Sequence, residues 1–414
     1  MKIIIIGAGI AAVSAIKAIR QLNQDIDITV YGEEQHFPYK RIRLTKDLAN
    51  GIDEEKLLIE KDDWYEANRV TLETGKKVTK INPEQHVIIL SDGTIDKYSS
   101  LLLATGASNR VLTIKGIDKT GVYTLRSLED GQDILKQAEK SKRAVIIGGG
   151  ILGLEIAWSL IKLKKEVVIV EAMPRLIPRQ LDGDSSQLLQ KVVESHGVTV
   201  YTGTCVNEIL GDDNVTGFIT DNNVEMACDM VIHSTGICPN IELIKGAGIE
   251  TNRGIIVNNR MQTSVPDVYA AGDVAEYEGE VLGLWNIASV QGDTAGKNMV
   301  GLTEAYETPA TPMVMNAFHY SLFSIGNIDD NESDHAIIDE PVGNKYGKIW
   351  LRDGVITGAL ILGSIKELPP IKKAMDQKVK FSEVYDKEYS LGEFLSLAKE
   401  KQTKKEPQLA NSML

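Results

Sequence analysis

A glycine-rich turn near the N-terminus has the residue types and spacing of a phosphate-binding turn. An apolar run at residues 2–6 is typical of a strand buried in a parallel sheet, and Gly7, Gly9 and Ala12 follow it before an amphipathic helix. The first glycine permits a tight turn, the second lets the backbone approach a pyrophosphate, and the third small residue lets the helix pack closely on the strand. The pattern predicts a dinucleotide at the helix N-terminus.

A carboxylate at the end of the next strand would complete this unit by binding an adenosine ribose. Residues 26–31 have the composition of that strand, and Glu33 and Glu34 come just after it. Glu33 has the expected spacing of about 20 residues from the turn, and Glu34 is the alternative. One such turn is weak evidence, because similar turns also occur for purely structural reasons.

The chain contains a second complete copy of this unit. Residues 144–147 have the pattern of a buried strand, Gly148, Gly150 and Gly153 form the turn, and Glu171 ends the next strand. Two copies in one chain predict two dinucleotide sites. A carboxylate at the second ribose favours NADH over NADPH, because it repels the 2′-phosphate of NADP.

Composition excludes several other classes of function. The net charge is −13, which disfavours nucleic acid and anionic membrane surfaces as partners. We find no apolar run long enough to cross a bilayer and no signal peptide, so we expect a cytoplasmic protein that binds no membrane. Three cysteines without a Cys-x-x-Cys pair argue against a disulfide framework, an iron–sulfur cluster and a metal site.

Four further segments occur in the order and at the spacing of one known family. Together with the two turns they resemble the pyridine nucleotide-disulphide oxidoreductase fold, closely over residues 1–305 and more loosely over residues 310–385. The resemblance implies FAD at the first turn and NADH at the second. The segments contain Ala104, Thr105 and Gly106; Gly236; Gly272 and Asp273, which would hold the ribityl chain and phosphate of FAD; and Trp285, in a helix beside the flavin ring.

Within that family, residues 37–46 resemble a segment of rubredoxin and ferredoxin reductases, of the flavin module of NADH nitrite reductases and of apoptosis-inducing factor. Relatives that use a redox disulfide carry two cysteines in this region, and NADH oxidases and peroxidases carry one. Residues 37–60 of this chain contain none. The resemblance implies a reductase that passes electrons from the flavin directly to an acceptor.

The resemblance also implies roles for individual side chains. Lys46 would be the cation that stabilises negative charge on the flavin, paired with Glu155 in the second glycine-turn helix. Ordinary exposed helix charges are the alternative for both. Arg41 supports the flavin or the pyrophosphate, or is a surface charge. Val78 is expected to contact FAD, and Trp285 either covers the edge of the flavin or is a core tryptophan.

Two residues beside these motifs are expected to have no catalytic role. His36 is interpreted as a structural or exposed histidine, because hydride transfer to flavin needs no general base. Cys238 is expected to be a small buried residue without an activated thiolate.

We predict an α/β chain with two Rossmann-like domains of the glutathione-reductase type and a small α+β C-terminal domain. The FAD domain would comprise residues 1–108 and 240–308, the NAD domain 109–239, and the interface domain 309–388. Asp353 and Gly354 between two apolar runs indicate a hairpin. Residues 389–414 would form an amphipathic helix and a flexible tail, with the helix packed on its own domain or, alternatively, docking a partner.

Three functions agree with these features. The leading hypothesis is an NADH-dependent reductase of a small electron carrier, rubredoxin or ferredoxin, acting as a monomer or homodimer. The second is the flavin subunit of a nitrite reductase system, which would need another polypeptide. The third is a non-catalytic FAD- and NADH-binding redox sensor or interaction protein.

The predicted role of Lys46 can be tested with Lys46→Ala. Because the variant lacks the cation that would stabilise charge on the flavin, we expect slower hydride transfer and a lower flavin potential, with FAD still bound. Stopped-flow reduction by NADH and a redox titration measure both quantities. Unchanged rate and potential would remove Lys46 from this role.

Overall fold

The computed structural model describes residues 1–410, apart from the side chains of residues 340 and 403–410. The strands, numbered along the chain, are β1 (Lys2–Ile6), β2 (Asp27–Tyr31), β3 (Val70–Glu73), β4 (Val78–Asn82), β5 (Val87–Leu90), β6 (Ile95–Lys97), β7 (Ser100–Leu103), β8 (Ala107–Asn109), β9 (Val122–Tyr123), β10 (Arg143–Ile147), β11 (Glu166–Glu171), β12 (Val198–Thr202), β13 (Val206–Leu210), β14 (Gly217–Thr220), β15 (Glu225–Ala227), β16 (Met230–His233), β17 (Ile237–Pro239), β18 (Ile255–Val257), β19 (Val268–Ala270), β20 (Ala275–Tyr277), β21 (Met313–Ala317), β22 (Tyr320–Gly326), β23 (His335–Val342), β24 (Lys345–Arg352) and β25 (Val355–Leu362).

The α-helices are numbered in the same way, and short 3-10 turns lie between some of them. They are α1 (Ile10–Leu22), α2 (Leu44–Asp47), α3 (Glu54–Leu57), α4 (Asp62–Ala67), α5 (Leu128–Lys140), α6 (Ile151–Lys162), α7 (Gly183–Ser195), α8 (Trp285–Met299), α9 (Leu368–Asp376) and α10 (Leu391–Ala410).

The chain divides into two units. The first comprises Met1–Val111, Leu125–Gln132 and Gly236–Pro309. Its main sheet is parallel, with the strand order β19-β7-β1-β2-β3. The apolar run at residues 3–6 is almost fully buried in this sheet, as expected for a strand covered on both faces. Helices α1 and α8 pack together beside it, and a small antiparallel sheet, β4-β5-β6, extends the unit.

The second unit comprises Leu112–Thr124, Asp133–Thr235 and Ala310–Leu414. Its nucleotide-type sheet repeats the first pattern, with the parallel order β12-β11-β10-β16-β9. The small sheet β13-β14-β15 covers one face through a core around Phe218, which is fully buried. The prediction of two Rossmann-like folds in one α/β chain is confirmed.

The C-terminal part of the second unit is an antiparallel sheet with two helices. Its strand order is β21-β22-β25-β24-β23. Strands β24 and β25 form the predicted hairpin, and both turn residues, Asp353 and Gly354, have positive φ. Helices α9 and α10 pack on this sheet through a core that includes Phe381 and Phe394. The predicted small α+β fold is therefore present.

The final helix packs on its own domain at its start. Phe394 and Ala398 are fully buried. The helix runs to Ala410, and the flexible tail expected after about residue 398 stays a prediction. Two side-chain contacts involve residues just beyond Ala398, from Gln402 to the Pro370 carbonyl at 2.7 Å and from Lys401 to the Lys380 carbonyl at 2.8 Å. Residues 411–414 of the predicted tail lie outside the described residues.

The contact between α1 and α8 leads to a stability prediction. A Cβ at Gly292 would overlap the Ala11 carbonyl oxygen, so Gly292→Ala forces the helices apart and should destabilise the protein by about 1–3 kcal/mol. Gly392→Ala is the control, because a Cβ there meets open space in a helix and should leave stability equal or slightly raised. Urea unfolding followed by circular dichroism measures both. Equal midpoints for the two variants would contradict the tight packing.

Candidate functional site

Three turns of the first unit lie side by side at the carboxyl edge of its parallel sheet. Gly7 follows β1, the Thr105–Gly106 turn follows β7, and the Gly272–Asp273 turn follows β19. Because these strands are adjacent in the order β19-β7-β1, the three predicted motifs come together. Ligands of open α/β sheets bind at this edge.

The first glycine turn has the shape of a phosphate cradle. Gly7 has φ of +103°, and a Cβ there would overlap the Ala104 carbonyl oxygen, so only glycine fits. Gly9 faces open space instead and is the N-cap of α1, where no side chain caps the helix. The first backbone N–H groups of α1 therefore remain available to an anion. Ala12 is buried, as close helix packing requires.

The two candidate ribose carboxylates have different surroundings. Glu33 is exposed and forms an ion pair with exposed Lys77 at 2.7 Å. Glu34 accepts a hydrogen bond from the Tyr39 hydroxyl at 2.7 Å and forms an ion pair with Arg41. Glu33 has a contact at only one of its oxygens, whereas each oxygen of Glu34 already accepts one, so Glu33 keeps more acceptor capacity for a ribose. Arg41 also donates to the Arg126 carbonyl at 2.9 Å, so it is built into the unit and is more than a surface charge.

Asp273 has a partner that sequence reasoning missed. The Arg126 guanidinium lies 2.6 Å from the Asp273 carboxylate, and both side chains are partly buried. Gln291 of α8 accepts a hydrogen bond from the Gly272 backbone at 2.9 Å and so fixes the turn. No local pattern identifies Arg126, because 147 residues separate it from Asp273. It places a fixed cation next to the turn predicted to hold FAD phosphate.

The remaining predicted residues of the first unit occupy varied positions. Val78 and Ala104 are buried in its core, and Trp285 is half-buried as the first residue of α8. Gly236 has φ of +100° and follows β16 in the chain. Lys46 is exposed on the short helix α2.

The second glycine turn repeats the geometry of the first. Gly148 has φ of +116°, and a Cβ there would overlap the Ser234 carbonyl oxygen. Gly150 faces open space as the N-cap of α6, again without a side-chain cap. A Cβ at Gly153 would overlap the Gly148 carbonyl oxygen, so the helix packs directly on the turn. This arrangement suits a second pyrophosphate.

Glu171 lies at the end of β11 beside this turn, and its carboxylate is buried. It accepts hydrogen bonds from the backbone N–H of Gly149 at 2.6 Å and of Met173 at 2.7 Å. Each carboxylate oxygen keeps a free lone pair for a ribose hydroxyl. Arg175, the nearest following arginine, donates one of its N–H groups to the Pro178 carbonyl at 3.1 Å. The predicted preference for NADH over NADPH therefore rests on the Glu171 carboxylate.

Two expectations about single residues change. Glu155 is only 6% exposed, so the alternative that it is an ordinary exposed helix charge is wrong; its pairing with Lys46 stays a prediction. Cys238 is exposed rather than buried, because it lies on the two-stranded ribbon β8-β17 instead of in a core. Cys228 is the buried thiol, and burial raises its pKa to about 12, so it is inert.

Comparison with known proteins identifies the family. The model for pyridine nucleotide-disulphide oxidoreductases matches residues 1–292. The chain belongs to this family. The model for the rubredoxin NAD+ reductase C-terminal domain matches residues 312–379. Proteins of the pyridine nucleotide-disulphide oxidoreductase family bind FAD and NADH, and the two open glycine cradles fit both.

Individual relatives agree with this assignment. The chain is 36% identical to the nitrite reductase [NAD(P)H] of Bacillus subtilis over 88% of this chain, but it spans only 46% of that relative. It is 33% identical to the NADH-rubredoxin oxidoreductase of Clostridium acetobutylicum, over 92% of this chain and 96% of the relative. A ferredoxin reductase structure from Rhodopseudomonas palustris superposes with a TM-score of 0.85 at 26% identity, covering 92% and 96% of the two chains.

Within residues 1–410, no helix combines the length and apolarity needed to span a bilayer. In the same part of the chain, no three His, Cys, Asp or Glu side chains cluster as metal ligands would.

The contacts of Glu171 predict the effect of Glu171→Ala. The variant lacks the predicted ribose acceptor, so NADH binding should weaken by about tenfold, and the preference over NADPH should shrink. Glu166→Ala, at the opposite end of β11 and paired with Arg143 on the surface, is the matched control and should bind NADH normally. Titrations with both nucleotides give the dissociation constants. Unchanged NADH affinity and discrimination in Glu171→Ala would refute the assignment.

Proposed function

We propose that this chain is a FAD-dependent NADH oxidoreductase that reduces a small one-electron carrier, rubredoxin first and ferredoxin second, without a redox disulfide. The observation that carries the proposal is the pair of open glycine cradles, one in each unit, within a family of FAD- and NADH-binding enzymes. When bound, FAD would accept a hydride from NADH at N5 and release the electrons one at a time.

The residues of the first unit have distinct tasks in this proposal. Gly7, Gly9 and Ala12 cradle the FAD pyrophosphate, and Glu33 accepts from the adenosine ribose. Asp273 holds the ribityl chain, and Arg126 supplies positive charge beside it. The further contacts assigned to FAD come from Arg41, Lys46, Val78, Ala104, Thr105, Gly106, Gly272 and Trp285.

The second unit would bind NADH. Gly148, Gly150 and Gly153 receive its pyrophosphate, and Glu171 accepts from its ribose. Gly236, in the turn after β16, is assigned to the same nucleotide. Lys46 and Glu155 are proposed to pair beside the flavin, where the lysine would stabilise negative charge.

The absence of cysteine beside the flavin supports direct transfer to a carrier. Residues 37–60 contain no cysteine, and the three cysteines of the chain are all free. Cys228 is buried with a raised pKa, which makes it a poor nucleophile. Cys205 and Cys238 are exposed but lie outside residues 37–60, so the proposal includes no dithiol step.

Two observations favour rubredoxin as the carrier. Residues 312–379 match the C-terminal domain of rubredoxin NAD+ reductases. The chain also spans 96% of a relative named NADH-rubredoxin oxidoreductase, so the similarity covers nearly the whole of that protein.

A flavin subunit of a nitrite reductase system is the second candidate. The Bacillus subtilis nitrite reductase has 36% identity, and the match covers 46% of that relative. The chain spans less than half of that relative, so nitrite reduction is carried over only as this second candidate.

Anaerobic stopped-flow reduction tests the leading proposal. NADH should reduce the bound flavin within milliseconds, and added rubredoxin should then be reduced with multiple turnovers, faster than ferredoxin. A slow, long-lived charge-transfer complex without turnover would instead favour a redox sensor. Rapid flavin reduction without transfer to either carrier, but with transfer to a nitrite-reducing partner subunit, would favour the second candidate.

Substitution of Trp285 tests the transfer of electrons from the flavin to the carrier. If it covers the exit edge of the flavin, Trp285→Ala should change the rate of carrier reduction and leave NADH reduction nearly intact. Trp64, another half-buried tryptophan of the first unit, is the matched position, and Trp64→Ala should change neither rate.

A further inference from the structure

His36 joins three segments of the first unit through both nitrogens of its ring. Nδ1 lies 2.8 Å from a carboxylate oxygen of Glu54, and Nε2 lies 2.8 Å from one of Glu129. A neutral imidazole has one N–H donor, whereas an imidazolium has two, and ionised carboxylates can only accept. Both contacts can therefore be hydrogen bonds only when His36 is protonated.

The two carboxylates belong to separate elements. Glu54 is the first residue of α3, and Glu129 lies in the first turn of α5. The loop before α3 and the start of α5 are also tightly packed, since a Cβ at Gly131 would overlap the Ile52 side chain. His36 thus closes an existing contact between these two elements and its own loop.

Arg126 lies two residues before the start of α5. The Asp130 carboxylate accepts from the backbone N–H groups of Arg126 at 2.7 Å and Ser127 at 2.9 Å, so this turn is rigid. The Arg126 guanidinium then reaches Asp273 at 2.6 Å. From the other side, Arg41, five residues after His36, donates to the Arg126 carbonyl.

We propose that His36 is a positioning residue for the flavin: as an imidazolium, it holds the first turn of α5 against the loop at residues 36–41 and keeps Arg126 in place beside Asp273. The inference rests on the proposed function, because it takes Asp273 and Arg126 to belong to the FAD site. His36 itself touches neither of them and acts through Glu129 and the turn that follows Arg126.

The consequence is a pH-dependent affinity for FAD. Burial lowers the pKa of His36, but the hydrogen bonds to Glu54 and Glu129 outweigh burial and hold the pKa above its ordinary value. The groups that face the ring are Glu54 from α3, Glu129 from α5 and the Tyr39 ring from its own loop. Because the pKa is raised, both hydrogen bonds of His36 are present at a pH below the ordinary pKa of histidine. One of them is lost as the pH rises through the raised pKa.

The test is a titration of FAD into the full-length apoprotein between about pH 6 and pH 9, where histidine titrates. The dissociation constant of the wild type should rise by about three- to tenfold, the size expected for losing one charge-assisted hydrogen bond between partly exposed groups. NMR of 13C-labelled histidine gives the pKa of His36 independently, and its midpoint should coincide with that of FAD binding.

Two substitutions of His36 separate positioning from simple packing. His36→Gln cannot carry charge, so it should bind FAD weakly at every pH, with a flat profile. His36→Arg keeps a cation with several donors at every pH, so it should bind tightly, also with a flat profile. His86→Asn is the control: this histidine of the same unit stacks on Tyr98, and asparagine tolerates its positive φ, so the wild-type profile should persist.

The outcomes distinguish this inference from the proposed function. A pH-independent FAD affinity in the wild type, or a His36→Gln variant that keeps the wild-type profile, would overturn the role of His36 while leaving FAD binding and NADH oxidation intact. A protein that binds no FAD at any pH would overturn both. A wild-type profile that follows the His36 pKa and becomes flat in both variants supports the inference.

Discussion

Each nucleotide turn depends on a strand end and a helix start that meet with no room for a side chain. At Gly7 and at Gly148 an added Cβ would overlap a carbonyl oxygen of the neighbouring strand turn, in Ala104 and in Ser234. Gly7 and Gly148 also have positive φ, which glycine alone adopts without strain. Because this approach is so close, the following helix begins directly at the sheet edge with its N–H groups uncapped. Everything proposed about cofactors follows from those open groups.

The carboxylates beside the two glycine turns have different surroundings. In the second unit, Glu171 is buried and bonded to the turn, so its position is set before any nucleotide arrives. In the first unit, the corresponding Glu33 is exposed and meets only an exposed lysine, while Glu34 is engaged by Tyr39 and Arg41. The first unit instead concentrates its fixed charge at Asp273 and Arg126, beside the third turn of the sheet edge.

The charge of the chain bears on its choice of partner. A net charge of −13 would repel an acidic electron carrier at long range, so the proposed transfer would need local attraction. Screening at physiological salt limits that repulsion to about 8 Å, which makes the composition of the docking surface more important than the total charge.

The sequence by itself determined the features that depend on neighbouring residues. The two glycine turns, the repeated parallel sheets, the Asp353–Gly354 hairpin and the amphipathic start of α10 all follow from patterns a few residues long, because backbone conformation and strand or helix periodicity are local properties. Tertiary structure decided the contacts between distant segments. Arg126 contacts Asp273 at a sequence separation of 147 residues, and His36 contacts Glu129 at a separation of 93. No local sequence pattern predicts either pair. The exposure of Cys238 likewise depends on what the rest of the fold places beside it.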